Sequence, residues 1–225
     1  MDLVETTDGE RGRRGTIKIE AIFLGWGVAL ERGRIARMLG RGHGRFDLIF
    51  FSRKDARFAE KNPRLLQCGE VLVSRNREEG LWNLREWSEE RESGVGGSDW
   101  RTMVCASAAA ELVLLLAPEE TMGADLFPLV AAAGRHLPEA IDPVAFLAGF
   151  AFSCLDREGF GGEEKLSGIA ARFRERVIGT GPAGWTRFRL ATSAARREIP
   201  RAVHRLVESV AERRWKSFAV LEEMI

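Results

Sequence analysis

The chain of 225 residues is 45% hydrophobic and 30% charged, with a formal net charge of +1; this apolar share can bury a core and excludes a disordered polymer. The most apolar window, Ala106 to Pro118, is too short to span a bilayer and contains Glu111, and the N-terminus lacks the apolar run of a secretory leader. Three well-separated cysteines, Cys68, Cys105 and Cys154, form no Cys-x-x-Cys pair, which speaks against a zinc site and for reduced thiols in a cytoplasm.

Along the chain the predicted elements change character once. Residues 1–16 are polar, with Arg11, Arg13 and Arg14 close together, and read as a flexible arm. Strands are expected at 17–26, with β-branched and aromatic residues in Ile17, Ile19, Ile22 and Phe23, and in the apolar segments around Ile35 to Leu39, at 46–51, at 71–74 and at 81–84. Gly40-x-Gly42-x-Gly44 reads as a turn, since no βαβ pattern surrounds it. The third strand empties into a basic loop carrying Arg53, Lys54 and Arg57, with Lys61 and Arg64 just beyond. Five short strands within residues 17–88 fit a small closed barrel of the OB type.

Gly94-Val95-Gly96-Gly97 marks a linker over 89–98. After it, Trp100, Val104, Ala108, Leu112 and Leu115 recur at helical spacing until Pro118. Further helices are expected at about 124–137, from Asp142-Pro143 to about 155, at about 163–178 and at 200–215, with Trp185–Leu190 as a short extended piece. The fold class is thus α+β: an N-terminal OB-fold β-barrel over 17–88, then an all-α helical bundle over 99–225.

Charge adds a second pattern. Residues 1–88 have a balance of +4, residues 89–164 of −10 and residues 165–216 of +9. Basic blocks attract phosphates, with an affinity that falls as salt rises. The same blocks could instead neutralise the acidic middle across an internal contact.

Signs of catalysis are few. His43, His136 and His204 lie in separate contexts, without a partner at metal-ligand spacing or a neighbouring nucleophile. Ser107 and Ser153 fall in apolar helices, and the stretch Glu86 to Glu92 reads as a solvated linker. No phosphate-binding loop occurs. No catalytic residue, metal ligand or cofactor is expected, and the chain reads as a binding protein. Six tryptophans accompany no tyrosine. Trp82 and Trp100 lie on apolar faces and are assigned to packing. Trp185, near Arg187, and Trp215, between Arg214 and Lys216, are the expected exposed stacking surfaces.

Ile19-Glu20-Ala21-Ile22-Phe23-Leu24, and His43-Gly44-Arg45 leading into the basic loop, resemble the first strand and the hairpin of one family, the RecO recombination mediators of bacteria. Leu81-Trp82-Asn83-Leu84-Arg85-Glu86 is similar to its closing strand. Ala108 to Val113, Asp125-Leu126-Phe127 and Arg214 to Leu221 follow at similar distances. Two departures stand out. Phe51 and Asp55 interrupt the usual basic run, and only Cys154 lies near the position of the four-cysteine zinc module of many relatives, so no structural zinc is expected.

The resemblance implies a non-catalytic, cytoplasmic, nucleoid-associated repair factor with no membrane contact. Such a protein binds single- and double-stranded DNA, anneals complementary strands and acts with RecR. It helps load RecA onto DNA covered by single-strand-binding protein, whose acidic C-terminal tail it recognises. The expected DNA contacts are Arg53, Lys54, Arg57, Lys61 and Arg64, then Arg34, Arg37 and Arg41, then Arg213, Arg214 and Lys216. The alternative is an interaction adaptor in which the same barrel and bundle bind only proteins.

Overall fold

The computed structural model describes residues 15–31, 33–51, 62–74, 81–90, 93–97, 99–117, 126–160 and 166–222. Its first half is a closed barrel of five strands: β1 (Thr16–Leu30), β2 (Gly33–Gly40), β3 (Gly44–Phe51), β4 (Cys68–Ser74) and β5 (Trp82–Glu89). They close in the order β1-β2-β3-β5-β4. Each neighbouring pair is antiparallel except β3 with β5, which run parallel where Leu48 meets Trp82 and Ile49 meets Asn83.

Strand alternation sorts the side chains. Ile19, Ala21 and Phe23 of β1 point inward with Ala36 and Met38 of β2, Phe46, Leu48 and Phe50 of β3, Val71 and Val73 of β4, and Leu84 and Trp87 of β5. The opposite face of β1 and β2 is apolar too: Ile22, Leu24 and Leu39 belong to the core formed by the helices. That double burial explains why Ala21 to Leu24 reads as an unbroken apolar run.

The strands extend beyond their predicted ends. β1 reaches Leu30 because irregularities between Phe23 and Gly25 and between Trp26 and Ala29 let it bend without leaving β2. Gly25, at φ 139°, supplies a conformation closed to other residues. β5 runs to Glu89 by pairing with Gly69 of β4, so the charged stretch after Leu84 is strand rather than linker.

Helices follow: α1 (Trp100–Leu116), α2 (Phe127–His136), α3 (Pro143–Arg157), α4 (Gly168–Thr180), the single turn α5 (Pro182–Trp185), α6 (Ser193–Ala211) and α7 (Lys216–Glu222). Side-chain caps start several of them. Asp99 accepts from the backbone of Arg101 and Thr102, Asp142 from Ala145, Ser167 from Ala170 and Thr192 from Ala195. α3 packs against α1, α4 and α6 and forms the centre of this half.

Two predicted elements are corrected. The expected helix at 200–215 is α6, which begins at Ser193 and holds Pro200 in its interior. Proline forfeits one ladder hydrogen bond there, but the Thr192 cap and the buried face of Ile199, Ala202, Val203, Leu206 and Val207 hold the helix through it. The expected extended piece at Trp185–Leu190 begins as α5 instead. Gly181, at φ 75°, ends α4 and reverses the chain, which throws Trp185 back onto the helix it just left. Among the described residues no helix is long and apolar enough to cross a membrane.

Candidate nucleic-acid interface

The barrel meets the helices along β1, β2 and α1, and a cleft of about 900 Å³ opens there. Its apolar lining is Leu24, Gly25, Leu65, Leu114 and Leu115. Five cations line it, Arg37, Arg45, Arg213, Arg214 and Lys216, against two carboxylates, Asp47 and Glu111. The site is therefore net cationic with apolar residues among its lining, a combination suited to a phosphate-bearing ligand with a hydrophobic body.

Each cation reaches the cleft for a local reason. Arg37 pairs across the sheet with Asp47 of β3 and with Gly25 of β1. The Arg37 Nε lies in ordinary contact range, 3.6 Å, of where a Cβ on Gly27 would stand, which places the guanidinium against this bend of β1. Arg45 donates through Nη1 to the Leu114 carbonyl at 3.1 Å. That carbonyl lies in the last turn of α1, where helices present unmatched oxygens and favour a cation. Arg45 thereby pins the barrel to α1.

The third group arrives from the far end of the chain. Trp215 is 2% exposed, and its Nε1 donates to the Ala108 carbonyl at 3.1 Å. Glu111, one turn farther along α1, accepts the backbone N–H groups of Lys216 at 2.9 Å and Ser217 at 2.7 Å, and the Ser217 hydroxyl as well. A carboxylate on the first N–H groups of α7 both caps it and meets its positive end. Glu212, in the left-handed region at φ 51°, ends α6 and turns the chain toward this anchor. Arg213, Arg214 and Lys216 are exposed on either side of Trp215.

The other expected contacts are distributed differently. Arg53, Lys54, Arg57 and Lys61 lie outside the described residues. Arg64 is exposed beside the bridge between Leu65 and Val95, and its backbone N–H donates to the Gln67 side chain at 2.7 Å. Arg34, Arg37 and Arg41 do not converge on one place. Arg34 stands opposite Phe50 at the other end of β2, its guanidinium 5.8 Å from the centre of the Trp26 ring. Arg41 is held by both oxygens of Glu20, at 2.6 and 3.0 Å, and lies 4.4 Å over the Phe127 ring. It lies over buried Phe127 where the barrel joins α2, with half of its side chain still open to solvent.

Of the four tryptophan assignments one holds, Trp82 packing against the barrel core, and three reverse. Trp185 is 1% exposed, donates to the Val177 carbonyl at 3.0 Å and meets the edge of Phe146. Trp215 is the buried anchor described above. Trp100, assigned to packing, is 60% exposed. Flanking arginines mark the surface in each neighbourhood, but a buried indole needs only one turn of its own to point inward.

Sequence reasoning overlooked Glu111 and Arg45. Glu111 had a signal: a lone carboxylate in an otherwise apolar helical run requires a partner. It also overlooked a pocket of about 580 Å³ in the helical half, lined by Arg101, Arg189 and Arg196 around Asp142. Asp142 is occupied there, accepting from the Ala145 and Leu190 backbone. The cysteines are buried, and burial pushes the Cys68 thiol to about 11, Cys105 to about 12 and Cys154 higher still. His136 faces Glu139 and His204 faces Glu208, and among the described residues no three His, Cys, Asp or Glu side chains gather to hold a metal ion. No protein-family model matches this chain and no curated protein matches it, so its residues carry the functional reading.

Proposed function

We propose that this chain is a non-catalytic DNA-binding protein that takes a nucleic-acid backbone into the cleft between barrel and helices. It serves as a RecO-like recombination mediator, annealing strands and assisting RecA loading together with RecR on DNA covered by single-strand-binding protein. One observation carries the reading: Arg37 in β2 and Arg213, Arg214 and Lys216 near the C-terminus line a single cleft although most of the chain separates them. Support also comes from the barrel itself, whose strand order and parallel β3–β5 closure suit an OB-type barrel, a scaffold used for oligonucleotides. Annealing requires two polyanions to approach, and cations held in a fixed cleft reduce that repulsion.

The test is binding of a fluorescent oligothymidylate across a salt series. Each phosphate contact to a single strand contributes about −0.7 to the slope of log affinity against log salt. The variant Arg37→Ala/Arg213→Ala/Arg214→Ala/Lys216→Ala is expected to flatten that slope by about 2.8, roughly a 50-fold smaller loss of affinity between 50 and 200 mM salt. It is also expected to slow the annealing of complementary strands.

A second reading, an interaction adaptor without DNA affinity, rests on Arg174, which pairs with Asp156 at 3.1 Å and so joins the basic block to the acidic one. No binding of DNA by the unaltered chain at low salt would favour it.

A further inference from the structure

Trp100 is the most exposed of the described tryptophans, and it shares a face of α1 with the cleft. Trp100, Met103, Ser107, Glu111 and Leu114 recur at three- and four-residue spacing, and Ser107, Glu111 and Leu114 line the cleft. At 1.5 Å per residue, Trp100 stands about 10 Å from Ser107 along the helix axis. Met103, 36% exposed, stands between them on that face. The Arg101 guanidinium lies 5.7 Å from the centre of the Trp100 ring. Arg101 in turn borders the pocket of Arg189 and Arg196.

The nearby carboxylates are already engaged. Asp99 caps α1, Glu111 caps α7 and Asp142 holds the Leu190 backbone. An exposed ring with one cation beside it and a cationic cleft farther along the same helix matches a ligand that alternates phosphate and flat ring.

We propose that Trp100 is a base-stacking platform continuing the cleft along α1, which makes the ligand a strand with unpaired bases rather than a duplex. This rests on the reading of the cleft as a DNA site. A duplex keeps its ring faces within its own stack, whereas a single strand can lay one on the indole.

The test compares Trp100→Ala and Trp100→Phe with the unaltered chain on oligothymidylate and on an abasic oligomer of equal length. Loss of one stacking contact weakens oligothymidylate binding by about five- to 150-fold. Trp100→Phe is expected to keep most of the affinity. On the abasic oligomer all three chains bind alike, and the salt slope of Trp100→Ala stays unchanged because no phosphate contact is removed. If Trp100→Ala binds oligothymidylate as tightly as the unaltered chain while binding stays salt-dependent, the platform is refuted and the cleft survives. If the unaltered chain binds no oligonucleotide, both are overturned.

Discussion

Replacing Trp215 with alanine separates the structural role of this residue from the one its sequence neighbours suggest. Arg213, Arg214 and Lys216 make it look like a surface indole, and truncating a surface side chain changes stability by less than about 0.5 kcal/mol. In the fold it is 2% exposed against α1. Removing a buried large aromatic costs about 3–5 kcal/mol, including the cavity left behind. The lost hydrogen bond to Ala108 contributes about 1 kcal/mol of that at most, since that carbonyl sits within α1 and keeps its ladder position. For a protein of this size each kcal/mol lowers Tm by about 2–4 °C, so Trp215→Ala is expected to melt about 6–20 °C below the unaltered chain. Urea unfolding followed by far-UV circular dichroism measures the free energy directly. Trp100→Ala is the exposed control and stays within about 0.5 kcal/mol. A Trp215→Ala chain as stable as that control would refute the anchoring of the C-terminal segment, and with it the placement of the third cation group.

Two further predictions concern titratable groups. Asp99→Ala removes the α1 cap and is expected to cost about 1 kcal/mol in urea unfolding at pH 7. The hydrogen bond from Thr102 holds the Asp99 carboxyl below its usual value of 3.8, so the stabilisation is complete above that value and lost as pH falls through the lower folded value. The gap between the variant and the unaltered chain therefore narrows only in strong acid. Burial raises the cysteine thiols, so a thiol reagent at pH 8 is expected to label the native chain far more slowly than the unfolded one. Because unfolded thiols titrate near 9.0 and the folded ones higher, this contribution to stability is complete below 9.0 and lost as pH rises through the folded values. Fast stoichiometric labelling of native protein would contradict the burial.

Period and punctuation made the barrel and the main helices legible. Alternation from Phe46 to Phe50 and the Asp142-Pro143 start of α3 are local signals, and local physics decides them. What stayed hidden depends on contacts distant in sequence. β5 continues to Glu89 only because β4 is beside it, and α6 passes through Pro200 only because its buried face is covered. The candidate site divides the same way. Its cations were visible as residues, but nothing local joins Arg37 to Lys216 or separates Arg41 from Arg37. The sorting of Trp100, Trp185 and Trp215 failed for a related reason. An indole's burial depends on what the neighbouring helices place above it, and Gly181 and Glu111 decide that for Trp185 and Trp215.

The shared apolar seam has a consequence for how this chain can vary. Ile22, Leu24 and Leu39 project from the barrel into the same core as Leu112, Phe127 and Val130 of the helices. At Gly134 the two sides meet so closely that even a methyl group would fall 2.3 Å from the Leu66 carbonyl oxygen. Neither half can be exchanged for a foreign counterpart without remaking that seam. Barrel and helices are bound to change in concert over generations, and substitutions at residues 22, 24, 39, 66 and 134 should covary with those on α1 and α2 rather than with the rest of the barrel.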